Sequence, residues 1–122
     1  MGTDRGDRLI GGGRADQIWG GNGHDVLAGG SGDDTLLGGR GNDRLVGDPG
    51  DDALFDSQGA NRIDAGPGDD VISVRGGGRD SVRCGSGFDI VVAGRHDRVA
   101  RDCERVYRPG DRTPKRPPRS AW

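Results

Sequence analysis

Large aliphatic residues recur every nine residues along most of this chain, separated mainly by polar residues and glycine. The recurring positions are Leu9, Ile18, Leu27, Leu36, Leu45, Leu54, Ile63 and Ile72. One aliphatic side chain between two outward-facing neighbours suits a very short strand, because side chains alternate between the two faces of a strand. The pattern therefore predicts many short strands, each with a single inward side chain, joined by turns.

Aspartate follows the same nine-residue period, two positions before each aliphatic residue. These sixth positions of the repeat are Asp7, Asp16, Asp25, Asp34, Asp43, Asp52, Asn61 and Asp70. After one extra residue near Val74, the repeat continues with Asp80 and Val82, Asp89 and Val91, and more faintly Asp97 and Val99. Glycine is frequent at the first, second and fourth positions, where its backbone freedom allows a tight turn.

Composition argues against a fold that rests on apolar burial alone. The 122 residues include 26 Gly and 20 acidic residues, while hydrophobic residues make up 30% and aromatic residues 4%. Such a chain is close to the disordered class unless something else orders it. The net charge of −2 combines an acidic body up to Tyr107 with a basic segment from Arg108 onwards.

The motif G-G-x-G-x-D-x-U-x, in which U is a large aliphatic residue, resembles the calcium-binding nonapeptide of the RTX (repeats-in-toxin) family. The stretch "GGNGHDVLAGGSGDDTLLGGRGND" at residues 20–43 shows it most clearly, and the resemblance covers residues 2 to 92. The segment "RHDRVARDCERV" at residues 95–106 resembles the ends of secreted actinobacterial calcium-binding repeat proteins, which implies that it closes the fold.

The predicted fold is an all-β parallel β-roll, a solenoid with two repeats per coil and a C-terminal capping segment. Two units form a coil of 18 residues with turns on two opposite edges, and successive coils stack as parallel strands about 4.8 Å apart. We predict a roll over residues 2–92, a cap over 93–107 and a disordered, basic, proline-rich tail over 108–122.

Stacking of the coils brings the sixth-position aspartates together. Asp25 is expected to lie over Asp43 on one edge, and the other edge is expected to carry Asp16, Asp34, Asp52 and Asp70. Carboxylates this close repel one another unless a cation lies between them. Calcium binds six to eight oxygen ligands, including backbone carbonyls. Zinc prefers His and Cys, which do not recur in these units.

The resemblance implies that each calcium ion is held between neighbouring turns by sixth-position carboxylates and glycine carbonyls. The carboxylates carried over to this chain are Asp16, Asp25, Asp34, Asp43, Asp52, Asp70 and Asp89. The glycines are Gly12, Gly21, Gly23, Gly30, Gly32, Gly39, Gly41, Gly50, Gly66, Gly68, Gly85 and Gly87.

Three units depart from the motif at positions that bear on this assignment. Arg14 replaces the fourth-position glycine before Asp16, and Asp48 replaces a second-position glycine before Asp52. Asn61 replaces the sixth-position aspartate of the unit at 56–64, which weakens the prediction of ion sites at that turn. Asp33, at a fifth position, is expected to point away from the stacked aspartates and to add mostly to the local negative field.

Cys84 and Cys103 are separated by 19 residues, one coil plus one residue. A residue one coil later lies almost directly above, within the Cα spacing that a disulfide requires, so we expect these cysteines to be bonded. A disulfide would suit a small secreted domain, whereas two free thiols in a cytoplasmic protein remain the alternative.

Residues Trp19, Leu37 and Phe55 occupy ninth positions of alternate units and are expected to stack on one outer face. This stripe is either a docking surface or, in the interpretation that we favour, a row half-covered by neighbouring side chains.

The sequence predicts a calcium-binding structural module, secreted or at the cell surface, whose folding depends on calcium. It offers no catalytic constellation, so we expect no enzyme activity. We also expect no nucleic-acid partner and no membrane span, and no protein partner is identified. A detached C-terminal calcium-binding repeat region of a secreted enzyme or adhesin is the alternative. An ice-binding solenoid would need an array of outward threonines, but only Thr35 sits at a strand position.

Overall fold

The computed structural model describes residues 6–56, 59–74, 78–94 and 97–107, which form short strands and no helix. The strands are β1 (Arg8–Ile10), β2 (Gln17–Trp19), β3 (Val26–Ala28), β4 (Thr35–Leu37), β5 (Arg44–Val46), β6 (Ala53–Phe55), β7 (Arg62–Asp64), β8 (Val71–Ser73), β9 (Ser81–Arg83), β10 (Ile90–Val92), β11 (Arg98–Val99) and β12 (Arg105–Tyr107). Each strand thus corresponds to the last positions of one repeat, as the aliphatic period predicts.

Two parallel sheets of six strands form the fold. Odd-numbered strands follow one another in one sheet, β1-β3-β5-β7-β9-β11, and even-numbered strands form the other, β2-β4-β6-β8-β10-β12. Leu27 pairs with Leu45 in the first sheet, and Leu36 pairs with Leu54 in the second, so paired residues are 18 positions apart. The predicted all-β parallel β-roll with two repeats per coil is therefore confirmed.

The core is a narrow column between the two sheets, filled by the middle residue of each strand. These residues are Ile18, Leu27, Leu36, Leu45, Leu54, Ile63, Ile72, Val82, Val91 and Val106, with Val99 at the second position of the two-residue strand β11. Val74, close to the point where the period shifts, is also fully buried. Phe55 pairs with Ser73 at a separation of 18, whereas Ile63 pairs with Val82 at a separation of 19. Both sheets continue past this point, so the extra residue does not interrupt the stacking of the coils.

The two outer faces of the roll differ in chemistry. The face of the odd-numbered strands carries arginines, including Arg44 beside Arg62. The face of the even-numbered strands carries the stripe of Trp19, Leu37 and Phe55, which stack in register. Their relative exposures are 46%, 36% and 38%, so more than half of the surface of each residue is covered.

The disulfide joins Cys84 to Cys103, whose Cα atoms lie 5.1 Å apart. Both residues are buried, and the bond links consecutive coils at the C-terminal end of the roll. The disulfide that the spacing of the cysteines predicts is confirmed, in place of the alternative of two free thiols. By the chain-entropy account, closing a loop of this size contributes about 3 kcal/mol to stability.

Strands β11 and β12 continue both sheets as far as Tyr107. The assignment of residues 93–107 as a separate cap stays a prediction, and the predicted tail at 108–122 lies outside the described residues. Within the described part of the chain, no helix is long and apolar enough to cross a membrane.

Candidate metal centre

Sixth-position side chains form a buried column along each edge of the roll. We call these two columns together the inner ladder. In each contact the Oδ1 atom accepts a hydrogen bond from the backbone N–H of the sixth-position residue one coil earlier. On one edge Asp25 N–H donates to Asp43 Oδ1 over 2.8 Å, and on the other Asp34 N–H donates to Asp52 Oδ1 over 2.8 Å. The predicted stacking of Asp25 with Asp43, and of Asp16, Asp34, Asp52 and Asp70, is confirmed.

The second carboxylate oxygen of most inner-ladder residues is buried and has no hydrogen-bond partner. These Oδ2 atoms belong to Asp25, Asp34, Asp43, Asp52, Asp70 and Asp89. A buried carboxylate that is not compensated by a donor or a counter-charge is costly. Burial raises the pKa of Asp52 to about 7 and that of Asp70 to about 8, against partly offsetting hydrogen bonds from the backbone. Without a cation, burial therefore favours the protonated form of the Asp52 and Asp70 carboxyls.

Beside the first-position glycines, the unpartnered Oδ2 atoms converge with carbonyl oxygens. A Cβ atom placed on Gly20 would lie 2.7 Å from Asp25 Oδ2 and 2.5 Å from the carbonyl oxygen of Gly38. On Gly29 it would lie 2.5 Å from Asp34 Oδ2. The atoms facing these spaces are carboxylate and carbonyl oxygens, the donors that calcium takes and not the nitrogen and sulfur donors that zinc prefers. The residues present therefore fit calcium.

The two C-terminal candidates have a different first position. Ala65 precedes Asp70 and Cys84 precedes Asp89, and both of these first-position side chains are fully buried in the core. The oxygen-lined space of the glycine units is therefore partly filled by a side chain in these two turns.

The turn glycines adopt a backbone conformation that other residues rarely take. Positive φ angles occur at Gly21, Gly23, Gly30, Gly32, Gly39, Gly41, Gly50, Gly66, Gly68, Gly85 and Gly87. Gly12 is the exception among the predicted site glycines, and its N–H donates a 2.9 Å hydrogen bond to Asp16 Oδ2. Because Asp16 is only half-buried and its Oδ2 is already partnered, its turn differs from those of the other predicted ligands.

Gly12 and Gly30 occupy the same position in stacked units and form a matched pair for substitution. Gly30 has a φ of 78°, and a Cβ there would collide with the Gly12 carbonyl oxygen, whereas a Cβ on Gly12 would meet nothing within 4 Å. We expect Gly30→Ala to lower the free energy of unfolding by about 1–3 kcal/mol or more, and Gly12→Ala to leave it unchanged or slightly raised. Urea denaturation in saturating calcium measures both; equal effects would contradict the turn geometry.

A second column of hydrogen bonds, on the outside of the turns, was not predicted. Fifth-position side chains accept hydrogen bonds from the backbone of the next coil, in the opposite direction to the inner ladder. Asp33 Oδ1 accepts from Asp51 N–H over 2.8 Å, and Asp51 Oδ1 accepts from Asp69 N–H over 2.8 Å. On the other edge His24 Nδ1 accepts from Asn42 N–H. Asp33 was expected to contribute mostly negative charge, and the structure adds a hydrogen bond through which it joins consecutive coils.

The family model described as RTX calcium-binding nonapeptide repeat (4 copies) matches the chain four times, over residues 1–36, 37–72, 46–82 and 56–91. The matches together span the coils that carry the inner ladder as far as Asp89. No curated protein matches the chain.

Proposed function

Because this chain belongs to the RTX calcium-binding nonapeptide repeat family, we propose that it is a secreted or cell-surface structural module that folds when it binds calcium. One observation carries the proposal: the inner ladder buries carboxylate oxygens that no hydrogen-bond donor satisfies. A cation at these oxygens would compensate their charge and would join consecutive coils at the same time.

The strongest ligand candidates are Asp25, Asp34 and Asp43, each of which has a first-position glycine and positive-φ glycines at the second and fourth positions. Asp52 shares the buried Oδ2 atom, and the second-position residue of its unit, Asp48, adopts a φ of 65° in place of a glycine. Asp16, Asp70 and Asp89 would contribute from turns with a different local arrangement. Calcium supplies the positive charge in this scheme, while the chain supplies the oxygen ligands and their spacing.

The disulfide supports an extracytoplasmic location for the module. Structural disulfides form and persist mainly in oxidising compartments, and Cys84 and Cys103 are both buried in a bonded pair. Extracellular calcium-binding modules bind with dissociation constants of roughly 10⁻⁴–10⁻³ M, which matches a protein that would stay unfolded until it is exported.

Equilibrium dialysis tests the proposal directly. We expect several calcium ions to bind per chain when free calcium is about 10⁻³ M. Magnesium at the same concentration should bind much less, because it requires a tighter octahedral shell and gives up water reluctantly. A chain that binds no calcium, or that binds magnesium equally well, would exclude this function.

A further inference from the structure

The unit at residues 56–64 departs from the repeat at two positions within one turn. Asp56 stands at the first position, where the five units that begin at residues 11, 20, 29, 38 and 47 have glycine, and Asn61 stands at the sixth position, where aspartate is the rule. The first change adds a carboxylate to the turn, and the second removes one.

Asn61 retains only part of the role of an inner-ladder aspartate. Its Oδ1 atom accepts a 2.7 Å hydrogen bond from Asp43 N–H, and its own N–H donates to Asp80 Oδ1 over 2.7 Å. The column of hydrogen bonds is thus continuous through this coil. The amide, however, has no negative charge and has a nitrogen in place of the second carboxylate oxygen.

Asp56 brings its carboxylate to the neighbouring inner-ladder residue. The Asp56 side chain is 4% exposed, and its Oδ2 atom occupies the space beside Gly38 that a Cβ would fill. In the same space Asp43 Oδ2 lies 2.8 Å from that Cβ position. Beside Gly20 and Gly29, the atom from the next coil is a backbone carbonyl oxygen, so this turn substitutes a charged oxygen for a neutral one.

The environment of Asp43, on the other side of this contact, also indicates a bound cation. Asp43 is 3% exposed, and its Oδ2 atom, which faces the same space, has no hydrogen-bond donor. Two buried carboxylates that face each other repel strongly at low effective dielectric constant unless they share a proton or a cation lies between them. Calcium accepts two carboxylates in one site as readily as one carboxylate and a carbonyl.

We propose that Asp56 is a calcium ligand that compensates for Asn61, so that Asp43 and Asp56 together bind one cation between the coils of units 38–46 and 56–64. The inference rests on the proposed calcium-binding function and adds a site at the turn where the repeat motif predicts the weakest binding. The negative charge missing from the sixth position is supplied from the first position of the same unit.

The test compares the number of calcium ions bound by four forms of the full chain, measured by equilibrium dialysis. Asp56→Asn removes the charge with little change in shape, and the double substitution Asp56→Gly with Asn61→Asp restores the repeat motif. Asp64→Asn is the matched control, because Asp64 is a half-buried acidic residue of the same unit at an outward-facing strand position. We expect Asp56→Asn to bind one ion fewer than wild type, and both the double variant and the control to bind the wild-type number.

The outcomes separate this inference from the proposed function. If wild type binds calcium and Asp56→Asn binds the same number of ions, the Asp56 site does not exist although the module binds calcium. If wild type binds none, the proposed function fails first. Should Asp56→Asn fail to fold, the double variant decides: the wild-type count and calcium-induced circular dichroism support the compensation, and their absence overturns it.

Discussion

Removal of calcium is expected to unfold most of this chain, and its return to about 10⁻³ M is expected to restore the β-structure. The physical reason lies in the inner ladder, where six Oδ2 atoms are buried without a donor. The core opposite them is narrow and consists mainly of one aliphatic side chain from each strand. Far-UV circular dichroism of metal-free protein, titrated with calcium or magnesium, measures the transition.

The pH dependence of the metal-free protein gives this prediction an independent check. Burial raises the pKa of Asp80 to about 7 and that of Asp89 to about 6, as it does for Asp52 and Asp70, from an ordinary value of 3.8. Between pH 4 and 8 the folded state therefore binds more protons than the unfolded state, and the free energy of unfolding falls as the pH rises. Metal-free protein should show most β-structure near pH 4 and least above pH 8.

A metal-free sample at pH 8 with the β-content and melting temperature of the calcium-loaded protein would contradict the prediction. The bond between Cys84 and Cys103 alone can restrain the C-terminal coils in metal-free protein. The same titration after reduction of the disulfide is therefore the control for residual β-structure that does not depend on calcium.

Substitution of Asp34 by alanine is expected to weaken calcium binding and the stacking of the coils in the N-terminal half of the roll. Asp34 accepts a 2.8 Å hydrogen bond from Asp16 N–H, and its own N–H donates to Asp52 Oδ1. Alanine leaves the Asp16 N–H without its acceptor, at a cost of about 1–3 kcal/mol, and also removes a charged oxygen from the ion sites on either side. We expect a higher calcium midpoint and a less cooperative transition in circular dichroism.

The neighbouring residue Asp33 provides the matched control. Its Oδ1 atom accepts from Asp51 N–H, but that hydrogen bond is exposed. Water can replace the lost acceptor in Asp33→Ala, so we expect a loss of about 0.5–1.5 kcal/mol or less. Asp34→Asn separates the two roles of Asp34, because it retains the acceptor as Asn61 does and removes only the charge. If Asp33→Ala is the more damaging variant, the assignment of the sixth position to the ion sites is wrong.

The fold can be predicted from the sequence because the coils are nearly equal in length and stack directly on one another. The nine-residue period of the repeat therefore determines the topology. Leu27, Leu36 and Leu45 recur at nine residues, which determines both the strands and the separation of 18 between paired residues. The disulfide follows from the same number. Even the insertion near Val74 is visible as a shift in the period of the aspartates.

The parts that sequence reasoning missed depend on the direction in which a side chain points from the turn. Asp33 and Asp34 are adjacent and chemically identical, yet one accepts from the next coil and the other from the preceding coil. Only the backbone path of the turn distinguishes them. The approach of Asp56 to Asp43 is of the same kind, since the repeat motif shows a missing glycine at Asp56 but not the space beside Gly38 that its carboxylate enters.

The parallel register of the two sheets also determines how the module responds to mechanical tension. The hydrogen bonds between paired strands join each coil to its neighbours and run roughly along the axis of the roll. A force that pulls the ends apart along this axis therefore peels coils from the end in succession instead of shearing a whole sheet at once. Each released coil of 18 residues adds about 60 Å of extended chain. The bond between Cys84 and Cys103 holds the residues between them in a closed loop. We therefore expect the C-terminal end to extend less under force than the N-terminal end, so that the roll would act as an extensible spacer with one fixed end.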